Sequence, residues 1–282
     1  MTYAQSLAAA IEKLSNSGND DAWFDAWELA CIAFSKNRTQ LLADEKTDAP
    51  AEQCECFEDL VDRRCGGEPL QYMIGKWEFY GNEFYCGPGV LIPRPDTELL
   101  CDRAIKLLKE HSEITLITDL CAGTGCISVS LAKIFPDRDF IAVEKYDEAF
   151  TFLEKNIAHH GCTNVTAVKD DVTDPSGTSL FLQPQLILSN PPYISTHDMK
   201  TLSREVLSEP RTALCGGDDG LDFYRAIREH YGEVLASGGY FIFECGEHQG
   251  EKIISLFSDI CTGSELLKDP AGNDRTVVLE RS

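Results

Sequence analysis

A chain of 282 residues, 43% hydrophobic and 26% charged, has room for one large α/β domain and a smaller companion. Its 25 Lys and Arg stand against 47 Asp and Glu, and the formal charge of -22 makes nonspecific binding to a phosphate backbone repulsive over most of the surface. No run of about 18 apolar residues occurs, which excludes a membrane-spanning helix, and twelve cysteines without C-x2-C pairs or matched Cys/His sets argue against a zinc site or a disulfide framework. The opening MTYAQSLAAAIEKL has neither the basic region nor the long apolar stretch of a signal peptide, so free thiols in the reducing cytoplasm are expected.

Residues 1–75 read as a small helical domain. Leu7, Ile11 and Leu14 share one helical face. Trp23, Trp27, Ala30, Cys31 and Phe34 form a second stripe behind the cap candidates Asn19 and Asp20, a spacing that places both tryptophans in the core. Phe57, Leu60 and Val61 form a third, ended by Gly66-Gly67. The period changes over 76–94. There Trp77, Phe79 and Tyr80, then Phe84 and Tyr85, flank Gly81-Asn82 in the pattern of a β-hairpin linking two domains. From 95 to 282 the two periods alternate. Strands are expected near 114–120, 139–144, 164–169, 185–190 and 240–245, and helices near 96–110, 126–134, 147–160 and 220–236. Such alternation gives a mostly parallel sheet with helices on both faces. Late apolar stretches around 264–268 and 275–280 supply an antiparallel edge.

Chemistry gathers where the strands end. The first ends in Asp119-Leu120-Cys121-Ala122-Gly123-Thr124-Gly125 and runs straight into a helix. Glycines at such a turn let backbone N–H groups approach a ligand, although a plain tight turn has the same composition. The next strand ends in Glu144, about 20 residues past the glycines, where nucleotide-binding folds place a carboxylate on ribose hydroxyls. A solvated strand-end charge is the alternative. The third runs into Asp170-Asp171-Val172, an acceptor for an adenine amino group beside an apolar contact for its ring, or else a turn-capping aspartate.

The fourth strand, Leu186-Ile187-Leu188, delivers Asn190-Pro191-Pro192-Tyr193. Neither proline has an N–H for the ladder, so the chain leaves the sheet here in a rigid, extended geometry. The Asn190 side-chain oxygen and main-chain carbonyls then stand without competing donors, beside the flat Tyr193 ring. That set suits a planar –NH2 group, whose two hydrogens need acceptors and whose plane can stack. It points to chemistry on an amide or amino nitrogen.

This tetrapeptide after a Rossmann-like strand resembles the signature of S-adenosylmethionine-dependent methyltransferases acting on planar nitrogens. Glu68-Pro69-Leu70-Gln71-Tyr72, Phe79-Tyr80-Gly81 and Leu91-Ile92-Pro93-Arg94-Pro95-Asp96-Thr97-Glu98 are similar to the release-factor glutamine methyltransferases, the PrmC/HemK family. So are Glu209-Pro210-Arg211-Thr212-Ala213-Leu214, Gly217-Asp218-Asp219-Gly220-Leu221 and Gly272-Asn273-Asp274-Arg275. The resemblance runs from about residue 60 to the end. It implies a Rossmann-like methyltransferase domain over 95–282, behind the 76–94 hairpin linker and a substrate-recognising helical domain. Asn190, Pro191 and Tyr193 are implied as catalytic residues, and Asn190, Pro191, Pro192 and Tyr193 as the substrate contacts. S-adenosylmethionine would be held by Asp119, Cys121, Ala122, Gly123, Thr124, Gly125, Glu144, Asp171, Val172 and Asn190, with no metal. Two departures stand out: the family usually has Gly at Cys121 and Asp at Glu144. The Arg94–Glu98 segment has good helix-opening chemistry in its own right, and its match suggests that it borders the cofactor or substrate mouth.

The implied substrate is the glutamine of the Gly-Gly-Gln loop of a peptide-chain release factor, methylated on N5 by a cytoplasmic monomer with no direct nucleic-acid or membrane contact. A glutamine of a ribosomal protein is the near alternative. Adenine N6 in nucleic acid shares the tetrapeptide, and the acidic balance disfavours it. A cofactor-binding sensor would have no need of the acceptor set, and a dinucleotide oxidoreductase lacks its third fingerprint glycine.

Overall fold

The computed structural model describes residues 1–177 and 183–282. The chain forms two compact units, one of Met1–Lys76 with Ser203–Ser208, the other of Trp77–Leu202 with Glu209–Ser282.

The first unit is helical: α1 (Tyr3–Asn16), α2 (Ala22–Phe34), α3 (Arg38–Ala43), α4 (Ala51–Cys65) and α5 (Leu70–Ile74). A capping box opens α1, with Thr2 accepting from the Gln5 N–H and the Gln5 side chain accepting from the Thr2 N–H. Ser35, at φ 51, closes α2. Leu14, Leu29, Phe34, Phe57 and Val61 meet in the core. Trp27 joins them at 8% exposure, whereas Trp23, expected beside it, is 56% exposed. It lies one turn nearer the helix start, tilted against the Trp27 ring, with the Arg38 guanidinium over its outer face. Arg64 and Asp25 form a buried ion pair at 2.6 Å, and Arg64 also reaches Glu205 at 3.0 Å. That second bond ties the distant 203–208 segment to this unit.

The second unit begins with a hairpin, β1 (Lys76–Phe79) and β2 (Asn82–Tyr85). Its turn is Tyr80-Gly81, one residue earlier than the sequence suggests. Both residues have positive φ, 51 and 69, as the two-residue turn that matches strand twist requires. Then follow α6 (Glu98–Glu110), β3 (Leu116–Leu120), α7 (Cys126–Ile134), β4 (Asp139–Glu144), α8 (Asp147–His160), β5 (Val165–Lys169) and β6 (Leu186–Ser189). Three short helices go beyond the elements read from periodicity: α9 (Arg204–Leu207), which belongs to the first unit, and α10 (Arg211–Leu214) and α12 (Gly250–Leu256) in the second. The rest are α11 (Asp222–Tyr231), β7 (Tyr240–Glu244), β8 (Cys261–Lys268) and β9 (Asp274–Arg281).

Among the described residues seven strands form one sheet in the order β5-β4-β3-β6-β7-β9-β8. Neighbours are parallel as far as β7, and β9 and β8 close the edge antiparallel, as expected from sequence. Alternate residues serve opposite layers. Ile117, Phe140, Leu186, Leu188 and Ile242 pack under α6 and α7. Ile187, Phe241, Phe243, Val277 and Leu279 pack under α11 and α12. The chain winds outward from β3 in both directions, so the β3/β6 boundary is the topological switch point where such sheets open a crevice. Register brings Leu120 opposite both Val143 and Ser189, and Glu144 opposite Lys169. The four strand ends that carry the polar motifs therefore lie side by side.

Candidate active site

The turn from β3 into α7 is strained on purpose. Cys121, Gly123 and Gly125 all have positive φ, at 61, 55 and 77. Cys121 thus holds a backbone shape that glycine adopts freely, which explains why glycine suits this position. A Cβ on Gly125 would lie 2.5 Å from Leu153 Cδ1, so this residue is needed for close packing against α8. At Gly123 a Cβ would meet only Val90, at 3.8 Å, and would stand in the open cleft. That space beside bare backbone is what an approaching ligand needs.

Glu144 closes over the same turn. Its Oε2 accepts the Gly123 N–H at 2.9 Å, and its Oε1 accepts those of Lys145 and Tyr146 at 2.8 and 2.9 Å. The extra methylene relative to aspartate carries the carboxylate back to Gly123. Burial pushes its pKa up, and the three N–H donors oppose that push. Asp171 is also committed: Oδ2 pairs with Lys145 at 2.6 Å, and Oδ1 caps the Thr173 N–H at 2.9 Å and its hydroxyl at 2.7 Å. Burial pushes its pKa up, but Lys145 and Thr173 prevail and hold it below the ordinary carboxylate range. The turn-capping reading of Asp171 therefore holds, and Asp171 and Val172 line the cleft as well.

Asn190 donates its Nδ2 to Thr97 Oγ1 at 3.0 Å, and Thr97 in turn donates to Glu244 Oε2 at 2.6 Å. The Tyr193 hydroxyl donates to Glu244 Oε1 at 3.2 Å, and its main-chain carbonyl accepts from Gln249 Nε2 at 2.9 Å. Glu244 is 1% exposed, and burial pushes its pKa up to about 7. Buried Glu209 accepts from the Ile92 N–H at 3.0 Å and pairs with Arg94, and so supports the 89–94 segment that lines the cleft.

These walls border a cleft of about 850 Å³, counting space open to solvent. Of the residues singled out from sequence, Cys121, Ala122, Gly123, Thr124, Glu144, Asp171, Val172, Asn190 and Pro192 line it. Four do not. Asp119 is buried behind the turn, with Oδ2 on the Ser128 hydroxyl at 2.6 Å, Oδ1 without a partner, and a pKa raised by burial to about 7. Gly125 faces Leu153, Pro191 is buried, and Tyr193, expected to flank the substrate, turns its phenol to Glu244. The sequence reading did not single out Val90, Lys145, Tyr146 or Phe223, which line the cleft. Arg94 and Thr97 line it too, within the segment whose motif match had placed it at the mouth.

Residues 5–75 match the PrmC N-terminal domain, and residues 97–218 the methyltransferase small domain. The chain is 38% identical over 270 residues to the release factor glutamine methyltransferase of Geobacter sulfurreducens, covering 94% of this chain and 91% of that one. With the Escherichia coli protein of the same name it shares 34% over 281 residues, 99% of this chain and 98% of that one. The chain belongs to the release factor glutamine methyltransferase family. Family membership extends across both units. The fold alone is shared more widely. The hMettl16 catalytic domain, solved with a MAT2A 3'UTR hairpin, aligns with TM-score 0.54 at 15% identity, over 70% of this chain and 75% of that one. The T. thermophilus 16S rRNA N2 G1207 methyltransferase, solved with AdoMet and guanosine, aligns with TM-score 0.53 at 18% identity, over 73% and 50%.

Proposed function

We propose that the protein methylates N5 of the glutamine side chain in the Gly-Gly-Gln motif of peptide-chain release factors, using S-adenosylmethionine. One observation carries the reading. Asn190 stands on the cleft with its NH2 group spent on Thr97, which leaves its Oδ1 as an acceptor for an incoming amide. Relatives that match both units are named release factor glutamine methyltransferases, which supports this reading.

The cofactor suits the residues present. The open backbone at Gly123 would take its polar tail, Glu144 its ribose, and Asp171 with Val172 its base. Bound there, it supplies an electrophilic methyl group. Everything else falls to the chain. An amide nitrogen is a poor nucleophile because its lone pair is delocalised into the carbonyl, so orientation and charge matter more than a strong base. Asn190 Oδ1, beside Pro192 on the same wall, accepts an amide hydrogen, aims the nitrogen and stabilises the positive charge that develops on it. The proton leaves to solvent after transfer. Tyr193, anchored by Glu244 and Gln249, holds the corner rigid beneath Asn190. The helical unit, in this reading, recognises the release factor.

The test is to incubate the protein with isotope-labelled S-adenosylmethionine and purified release factors, then locate the label by mass spectrometry. One methyl group on the Gly-Gly-Gln glutamine is expected. A methyl group found instead on a ribosomal protein or on adenine in duplex DNA overturns the assignment.

A further inference from the structure

An asparagine amide has nearly the same shape in either of its two flips, and only its hydrogen-bond partners decide which end faces a substrate. In this cleft the difference is large. With Oδ1 outward, Asn190 accepts from the substrate amide; with Nδ2 outward, two NH2 groups face each other. Nothing about Thr97 alone selects the right flip, because a hydroxyl both donates and accepts. The selection comes from behind it. In its ionised form Glu244, at the end of β7, accepts from the Thr97 hydroxyl in a 2.6 Å bond. Thr97 Oγ1 then has only lone pairs to offer on its other side, so the Asn190 end that faces it, at 3.0 Å, must be the NH2.

The same carboxylate accepts from Tyr193 through its other oxygen, and its main-chain carbonyl accepts from the Tyr224 hydroxyl at 2.7 Å. One buried side chain thus holds both ends of the Asn190–Tyr193 corner, and α11 fixes the strand end that carries it. Neither Thr97 nor Glu244 needs to touch the substrate to do this.

We propose that Glu244, acting through the Thr97 hydroxyl, sets the direction of the Asn190 amide, which makes Glu244 and Thr97 positioning residues for the transfer. The assignment rests on the reading of the cleft as a glutamine-methylating site.

The experiment compares wild type with Thr97→Val, Thr97→Ala, Thr97→Ser and Glu244→Met. Methylation of the release-factor glutamine gives kcat and KM, and calorimetry gives S-adenosylmethionine affinity. Valine keeps the shape of threonine and removes the hydroxyl, so a packing role leaves Thr97→Val near wild type. A directing role lowers its kcat about 10- to 100-fold, with cofactor affinity within about twofold. Thr97→Ala falls with it, and Thr97→Ser stays within about threefold of wild type. Glu244→Met keeps the chain length, removes both acceptors and falls at least as far as Thr97→Val.

A second readout does not depend on turnover. With 15N-labelled asparagine, the Asn190 side-chain amide protons exchange slowly in wild type and Thr97→Ser, and faster in Thr97→Val and Thr97→Ala. Unchanged kcat in Thr97→Val, equal losses in Ser and Ala, or equal exchange in all variants overturns the relay, and wild-type turnover in Glu244→Met removes Glu244 from it. Should Thr97→Val not fold, the Ala and Ser pair decides. A wild-type protein that leaves the glutamine unmethylated overturns the functional reading itself, and with it the relay.

Discussion

In the proposed reaction Asn190 brings no charge and no strong base to the cleft; it would contribute one aimed acceptor. Removing a single preorganised polar partner of a developing charge costs about 10²–10³ in rate. Asn190→Ala should therefore lose that much turnover while keeping its affinity for S-adenosylmethionine, which the Gly123 turn, Glu144 and Asp171 would hold. Calorimetry beside a methyl-transfer assay separates the two, and full activity in the variant would discard the role. Residues of this kind were legible in the sequence because strand, turn and motif fall together within a few positions. The pairing of Thr97 with Glu244 was not. The two lie 147 residues apart in the chain and meet only when α6 docks beside β7. The phenol contact of Tyr193 is hidden for a related reason: its aromatic face suggests a stacking platform, while a buried carboxylate that the sequence does not advertise accepts from its hydroxyl.

The turn between β3 and α7 carries two glycines that look alike in sequence and do different work. Gly125→Ala would press a methyl group against Leu153 in a backbone shape that L-residues avoid, which should cost about 2–4 kcal/mol of stability. Gly123→Ala carries the backbone strain without the collision, about 1 kcal/mol, but fills the ligand's side of the turn. It should weaken S-adenosylmethionine binding tenfold or more, equivalent to about 1.4 kcal/mol. Denaturant melts and calorimetry on both variants would show opposite patterns; the same pattern in both would refute the division of labour. At this scale the sequence was informative wherever an element is long enough to show its period. The β7–α12–β8 region shows where that fails. Helix α12 has seven residues and opens on Gly250, too short and too weakly helical to register, and α9 and α10 have four residues each. The hairpin turn shifted by one residue because Tyr80 accepts a positive φ that composition assigns to Gly and Asn.

Across the whole molecule, the change of period near residue 76 announced two units, but the 203–208 segment joins the helical unit through tertiary contacts that no local pattern encodes. The Arg64–Glu205 pair is part of that attachment, and Asp25 holds Arg64 from the other side. Asp25→Ala leaves Arg64 with Glu205 as its one acidic partner and should destabilise the helical unit by about 1–3 kcal/mol, read as a lowered denaturant midpoint; a midpoint unchanged in the variant would show that water replaces the lost pair. The second unit has a different electrostatic liability. Asp119 and Glu244 are both raised to about 7, chiefly by burial, from ordinary values of 3.8 and 4.5. Ser128 holds the first down in part. Thr97, Tyr193 and Arg275 do so for the second, while Asp96 pushes it up. A carboxyl raised on folding keeps its proton in the native state after the unfolded chain has lost it. Its stabilisation is full below about pH 4 and disappears as pH rises through 7. Each group contributes at most about 1.4 kcal/mol per pH unit within that window. His160, lowered by burial, acts in the opposite sense as pH falls below its ordinary 6.5. The wild-type melting temperature should thus fall by several degrees between pH 5 and pH 8. Acidic self-repulsion from a net charge of -22 adds to that slope, so the discriminating comparison is with Asp119→Asn and Glu244→Gln. Each should flatten the curve, and together they should remove more than half of the fall. A double variant that melts along the wild-type slope would mean that these two carboxyls ionise in the native state as they do in water.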